Sequence, residues 1–277
     1  MYNDTAFCVT QWGVLLIGIV VNSNKIGTSE VAETLSGELN TRKVLFSFFE
    51  EAGEARKTPE PLSCLISIGG DGTFLRAAEV AAELDVPIFG VNMGRIGFLT
   101  EVVPEKIPEA AEKLLRGDYT VEKRLLLDCS INGVKERTCL NDVLVSKSSF
   151  SGTTEVEVFC GRHRIGDAFC DGMLVSTPTG STAYNLSAGG PVLYPNVDAM
   201  AVTPVCSHTV YFKPFVVSPD TELRILMRAE GSVAADGDRL ASLQSGDTVS
   251  VIRSDRILKL IRFGETDVMN LIHEKLC

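Results

Sequence analysis

The fold this sequence predicts is an α/β N-terminal domain with a parallel sheet, followed by an all-β, sandwich-like domain. Three observations carry that expectation. Strand-like and helix-like runs alternate up to about residue 120. Short alternating runs separated by turn signals fill residues 121–262. A last stretch, Thr266–Leu276, places Val268, Leu271, Ile272 and Leu276 at helical spacing and reads as a terminal helix packing back on the first domain. The domains are accordingly 1–120, completed by 263–277, and 121–262, in close contact with a cleft between them.

Taken in order, residues 1–13 carry no signal-peptide pattern and read as a lead-in. Val14–Val21 is a continuous apolar strand, typical of burial on both faces and too short to span a membrane. Glu30–Leu39 reads as a helix and Val44–Phe49 as a second strand, followed by a polar stretch over 50–61. Strand Cys64–Ile68, helix Phe74–Leu84, strand Val86–Val91 and helix Pro104–Leu115 complete the alternation. Beyond Tyr119, runs Leu125–Ile131 and Val134–Leu140 flank Asn132-Gly133, a two-residue hairpin signal. Glu155–Cys160, Met173–Val175, Val210–Phe212, Glu222–Met227 and Thr248–Arg253 read as further strands, with turns at Gly246-Asp247 and Ser254-Asp255.

Composition narrows the function classes. The chain has 277 residues, 45% hydrophobic and 22% charged, an ordinary globular balance with room for one large or two ordinary domains. A net charge of −10 argues against a nucleic-acid surface, although a local site on an acidic protein still accepts a nucleotide. The eight cysteines show no CxxC pair and no metal-ligand spacing, and read as buried thiols of a reducing cytoplasm. The three histidines, His163, His208 and His273, are too scattered for a metal cluster. No nucleic acid, membrane or protein-bound metal is expected.

Two glycine-rich stretches carry the chemistry. Ser67–Arg76 reads SIGGDGTFLR, between an apolar strand and a helical run. Glycines at such a junction bring backbone N–H groups close to a ligand, and a helix N-terminus favours negative charge, so the turn suits a phosphorylated ligand. Asp71 is the exception, because a carboxylate among anion-binding amides repels phosphate unless it has a task. It can take the proton of a hydroxyl that attacks phosphorus, as a general base; alternatively Asp71 or Thr73 simply caps the helix. The second stretch, Asp171–Pro191, reads DGMLVSTPTGSTAYNLSAGGP. Its segment 176–182 holds five hydroxyl side chains in seven residues, which favours ribose or phosphate binding over a merely capped helix. Tyr184 is placed to lie against a base or nicotinamide ring.

GGDGT at 69–73, NMGRIGFLTE at 92–101, Asn141-Asp142 and the 171–191 stretch together resemble the NAD kinase family, in that order and over most of the chain. GGDGT alone is shared with lipid kinases; the combination with 171–191 is far more specific. The resemblance implies phosphoryl transfer from ATP or polyphosphate to the 2′-hydroxyl of the adenosine ribose of NAD, giving NADP. It makes Asp71 the base and Gly72 a close backbone contact, and gives Arg76 a role at phosphate, against the alternative of a solvated helix residue. Asn141, Asp142, Asp171, Thr182, Ala183, Tyr184, Asn185 and Ser187 become dinucleotide contacts. Phe98 and Leu99 line the adenine side by analogy, with ordinary core packing as the alternative. Gly70, Thr73, Arg164 and His208 are further candidates.

The chain departs from the family pattern at two positions. Phe169 stands where a basic residue is common, with Arg162 or Arg164 as a substitute charge, and Asp238 stands where Gln is frequent. A divalent cation such as Mg²⁺ is expected to arrive with the donor's phosphates, and the family implies a homodimer or homotetramer. A lipid kinase of the diacylglycerol or sphingosine type and a non-catalytic dinucleotide sensor are the alternative functions.

Overall fold

The protein is described by a computed structural model over residues 16–94, 97–149 and 151–264. The chain divides into two units, Met1–Lys123 with Leu258–Cys277, and Arg124–Ile257. The proposed terminal helix Thr266–Leu276 lies outside the described residues, as do Val14 and Leu15 of the first expected strand.

The first unit is built as the alternation implies. Strand β1 (Leu16–Val21) leads to helix α1 (Thr28–Thr41) and β2 (Leu45–Phe49); β3 (Cys64–Gly69) leads to α2 (Asp71–Glu83), β4 (Ile88–Asn92) and α3 (Ile107–Arg116). The strands pair in parallel in the order β2-β1-β3-β4. β1, β3 and β4 are buried almost throughout, which is why they read as unbroken apolar runs, whereas β2 at the edge is partly exposed. Val31, Leu35 and Leu39 of α1 and Ile107 and Leu114 of α3 close over Ile17, Ile19, Ile66, Ile68 and Phe89 to form one core. A 3₁₀ helix of six residues lies at Ala52–Lys57, inside the expected polar stretch, and a single 3₁₀ turn at Pro104–Lys106, just before α3.

Among its described residues the second unit is all-β apart from a 3₁₀ turn at Gly180–Thr182 and one turn of α-helix. Its strands are β5 (Thr120–Ile131), β6 (Val134–Cys139), β7 (Asp142–Lys147), β8 (Thr154–Cys160), β9 (His163–Cys170) and β10 (Gly172–Ser176). After the short helix α4 (Tyr184–Ser187) come β11 (Met200–Val205), β12 (Phe215–Val217), β13 (Leu223–Met227), β14 (Gly231–Ala235), β15 (Asp238–Leu243) and β16 (Thr248–Arg262). One sheet runs β12-β11-β10-β7-β14-β15; in the other, β16, β13, β8 and β9 are neighbours, with β5 joined to β16 and β6 to β5. Inward side chains of both sheets, among them Val143, Val145, Val156, Val158, Met173, Val202, Ile225 and Val249, form a single core, giving the sandwich expected from the sequence. β16 begins in this unit and ends in the first, where Leu260 pairs in parallel with Ile88.

Asn132-Gly133 makes the expected two-residue hairpin, with both residues at positive φ (50° and 83°). One strand expectation fails. Val210–Phe212 is a turn region: Val210 and Tyr211 are each 80% exposed, Phe212 alone enters the core, and the strand forms at Phe215–Val217 against β11. A three-residue apolar run carries no period, so cross-strand pairing decides where the strand forms. Strands β7, β9, β11, β14 and β15 were not anticipated. Among the described residues no helix is long and apolar enough to cross a membrane.

Candidate functional site

In the first unit the chain leaves β1 toward β2 on one side, while β3 lies on the other. This divergence at the carboxyl ends of β1 and β3 is the place where open parallel sheets bind ligands. Three connections meet the sheet here: residues 22–27, Gly70, and the described residues 93–94 and 97–101. The Asn22 N–H donates to the Ile68 carbonyl (3.2 Å), its side-chain amide donates to Thr73 Oγ1 (3.2 Å), and Met93 N–H donates to the Gly69 carbonyl (3.0 Å). The loops are therefore tied to the GGDGT turn by hydrogen bonds from both sides.

Gly70 occupies the N-cap of α2 in an extended conformation with no side-chain cap bond, so the capping alternative for Asp71 and Thr73 is not realised. Asp71 is the first residue of the helix and is exposed; its carboxylate forms no hydrogen bond or ion pair with a described residue. Gly72 is exposed beside it, Thr73 is buried beneath the turn, and Arg76 projects from α2 into solvent.

The 97–101 loop stands against this carboxylate. A β-carbon on Gly97 would lie 2.6 Å from Asp71 Oδ1 and 3.0 Å from Thr100 Oγ1, so any side chain there displaces the Asp71 carboxylate. Phe98 is half-buried and Leu99 is core, 5% exposed. The loop is held by Arg262, itself 2% exposed, whose guanidinium donates to the Phe98 carbonyl (3.1 Å), Glu122 (3.1 Å) and Glu101 (3.4 Å).

In the second unit Asn141-Asp142 opens β7. Asp236, in the hairpin turn between β14 and β15, accepts hydrogen bonds from the N–H groups of Leu140 (2.8 Å), Asn141 (2.7 Å) and Asp142 (3.2 Å). Asp142 is 7% exposed and its carboxyl has no hydrogen-bond partner among the described residues. Burial, reinforced by the neighbouring Asp236 charge, pushes it up to about 7. Asp236 is also raised, by burial working against the three N–H bonds. Asp238 pairs with Arg137 (3.0 Å), so the carboxylate that replaces the family's usual Gln has its own partner.

The 176–182 segment packs directly on Asn141. A β-carbon on Gly180 would overlap the Asn141 backbone. Most of the hydroxyls expected to face a ligand are used internally. Thr177 Oγ1 donates to the Leu140 carbonyl (2.6 Å) and accepts from Gly180 N–H (3.0 Å). Ser176 donates to the Asn141 carbonyl (3.3 Å), Ser181 to the Pro178 carbonyl (2.7 Å) and Thr182 to the Thr179 carbonyl (3.3 Å). The reason is burial: Ser176, Thr177 and Ser181 are 0% exposed, and a buried loop must satisfy its own carbonyls. Asn185 is likewise fully buried, donating to the Ser181 (3.2 Å) and Pro191 (2.9 Å) carbonyls while accepting from Thr203 (2.7 Å). Ala183 is half-buried, and Tyr184 and Ser187 are exposed, the ring of Tyr184 by 43%.

The remaining candidates are dispersed. Asp171 pairs with Lys147 (2.6 Å). Arg164 is held by Glu157 and Asp167, and Phe169 is 45% exposed on the same strand. His208 is exposed, its N–H bound to the Phe169 carbonyl (2.8 Å). Asn22, Lys25, Gly97 and Thr100 had no role assigned from the sequence, although Gly97 and Thr100 lie in the quoted stretch NMGRIGFLTE. Among the described residues no group of three or more His, Cys, Asp or Glu is placed to hold a metal ion.

Residues 47–119 match the ATP-NAD kinase N-terminal domain and residues 140–263 the ATP-NAD kinase C-terminal domain. The NAD kinase of Moorella thermoacetica is 37% identical over 275 residues, covering 94% of this chain and 88% of that one. The NAD kinase of Heliobacterium modesticaldum is 34% identical, covering 94% and 98%. The fold is that of yeast NADH kinase crystallised with NADH (TM-score 0.86, 19% identity, 98% of this chain and 92% of that one). It is also that of an Archaeoglobus fulgidus NAD kinase crystallised with ATP (TM-score 0.77, 24% identity, 95% and 98%). With both domains matched in order and the likeness running through nearly the whole sequence, this chain belongs to the NAD kinase family.

Proposed function

We propose that this enzyme transfers the terminal phosphoryl group of ATP, or of inorganic polyphosphate, to the 2′-hydroxyl of the adenosine ribose of NAD, producing NADP. The observation that carries the reading is the exposed, unpartnered carboxylate of Asp71 at the first position of α2, where the loops after β1, β3 and β4 come together. The names of its relatives support the acceptor, and the solved NADH and ATP complexes of two proteins of the same fold support both nucleotides.

In the transfer, the ribose oxygen forms a bond to the donor's terminal phosphorus. The bond from that phosphorus to the bridging oxygen breaks, and its electron pair leaves with ADP or the shortened polyphosphate. The hydroxyl proton passes to Asp71, which no competing partner among the described residues occupies. Asn141, Asp142, Asp171, Thr182, Ala183, Tyr184 and Ser187 hold the dinucleotide, with the exposed Tyr184 ring offering a stacking face. Asn185, whose amide is fully engaged within the loop, shapes that wall from behind. A divalent cation such as Mg²⁺ comes with the donor's phosphates and offsets their charge. By family analogy the enzyme works as a homodimer or homotetramer, which its size in solution tests.

The direct test supplies purified protein with NAD, ATP and Mg²⁺ and reads NADP with a coupled dehydrogenase. NADP forms with the parent, and Asp71→Asn nearly abolishes turnover while leaving NAD affinity within a few-fold. A variant that retains most of its rate removes Asp71 as the base. Phosphorylation of diacylglycerol or sphingosine in place of NAD would overturn the acceptor.

A further inference from the structure

We infer that Lys25 is the donor-phosphate ligand of this enzyme: its ammonium binds the terminal phosphoryl oxygens of a polyphosphate chain. That chain belongs either to a nucleoside triphosphate or to inorganic polyphosphate. The inference rests on the kinase reading above and names the group that receives the donor.

Phosphoryl transfer needs positive charge on the transferred group, because charge spreads over its oxygens in the transition state. The chain is acidic overall, and many cations of the first unit are already committed. Arg42 pairs with Glu38, Arg56 with Glu83, Lys113 with Glu109, Lys259 with Asp85, and Arg262 with Glu101 and Glu122. Arg76, the cation within the GGDGT helix, projects into solvent more than one turn beyond Asp71.

Lys25 differs from these in position and in what it touches. It is half-buried, in the loop that follows β1 at the diverging sheet edge, and its ammonium forms no ion pair with any described residue. Nζ lies 3.3 Å from the point where a β-carbon on Gly70 would stand, so the ammonium rests over the turn that carries Asp71. It makes no ion pair with Asp71 itself, although the two flank the same glycine.

The backbone beneath it is braced. Lys25 N–H donates to the Asn22 carbonyl (3.1 Å), Thr28 Oγ1 donates to the carbonyls of Lys25 (2.7 Å) and Asn22 (2.9 Å), and Asn22 is bonded to Thr73. A half-buried cation without a protein counter-charge, on a fixed loop next to the proposed base, is placed for an anion that arrives with substrate.

The test compares the parent with Lys25→Met, Lys25→Gln and Lys25→Arg in the full chain, with thermal melting to confirm folding. NADP formation is measured against ATP, against polyphosphate and against NAD; binding of ATP and of inorganic tripolyphosphate is measured by calorimetry. Lys25→Met and Lys25→Gln are expected to raise the KM for the donor at least tenfold and to lower kcat, with the KM for NAD within twofold and tripolyphosphate binding weakened at least tenfold. Lys25→Arg restores most of the loss. An effect on ATP alone assigns the site to nucleoside triphosphates, and an effect on polyphosphate as well assigns it to both donors. Donor KM and tripolyphosphate binding unchanged within twofold, or a rise in the NAD KM instead, would overturn the assignment. If the parent forms no NADP, the kinase reading falls by itself. The binding arm then decides Lys25: weaker tripolyphosphate binding in Lys25→Met upholds the anion site, and equal or absent binding removes it.

Discussion

Gly97 lies so close to Asp71 that a methyl group on it would stand 2.6 Å from the carboxylate oxygen Oδ1. The absence of a side chain at one position therefore sets the direction of the charge at the other. Asp71 is exposed and can swing away from an intruding methyl, so the strain of Gly97→Ala falls on its orientation rather than on the fold. We expect Gly97→Ala to lower kcat by roughly tenfold or more, the scale of losses from sub-ångström misplacement of reacting groups. The melting temperature should move little. Steady-state kinetics beside a thermal melt checks both halves.

Arg262 holds the other side of the same loop. Arg262→Met removes the buried guanidinium that Glu101, Glu122 and the Phe98 carbonyl share. Both carboxylates are partly exposed, so the loss is about 1–3 kcal/mol, the scale of hydrogen bonds to a charged group. Urea denaturation should show a loss of that order, and turnover should fall with it as the Gly97 loop loosens.

The buried acids of the second unit give a pH dependence of definite sign. Asp142 is pushed up to about 7, so between the ordinary carboxylate range and that value the folded protein holds a proton that the unfolded chain has released. Stability therefore falls as pH rises from about 4 to about 7 and levels off above. Asp236, also raised, pulls in the same direction. Asp142→Asn should flatten the decline between pH 5 and pH 8 and leave the variant the more stable protein at pH 8. Melting temperatures across that range give the comparison.

Tyr184 offers a ring that is 43% exposed and carries no core packing role. Tyr184→Ala should raise the KM for NAD more than it lowers kcat, with stability unchanged. An unaltered KM would place the 182–187 segment outside the acceptor pocket.

How much of this was legible in the sequence differs from element to element. Unbroken apolar runs such as Cys64–Ile68 announced strands buried on both faces, and Asn132-Gly133 announced its hairpin, because each signal is local. Val210–Phe212 misled for the same reason: a short apolar run looks the same whether or not a neighbouring strand accepts it. The motif put Asp71 where β3 gives way to a helix, and the helix starts at Asp71 itself rather than at Phe74; nothing in it revealed Lys25 or Gly97, whose meaning arises only when loops distant in sequence meet. The buried hydroxyls of Ser176, Thr177 and Ser181 bond within the loop itself. Composition shows that donors are present, whereas burial decides that Thr177 and Ser181 spend them on the loop itself.

The pairing of Leu260 with Ile88 has a consequence for biosynthesis. On the ribosome, β4 emerges early but waits for its partner until the whole of the second unit has been translated. During that interval the nascent first unit exposes an open strand edge, the kind of surface that recruits other chains. A polypeptide released before Leu258 would keep that edge uncovered permanently, so this pairing makes completion of translation a condition for sealing the sheet.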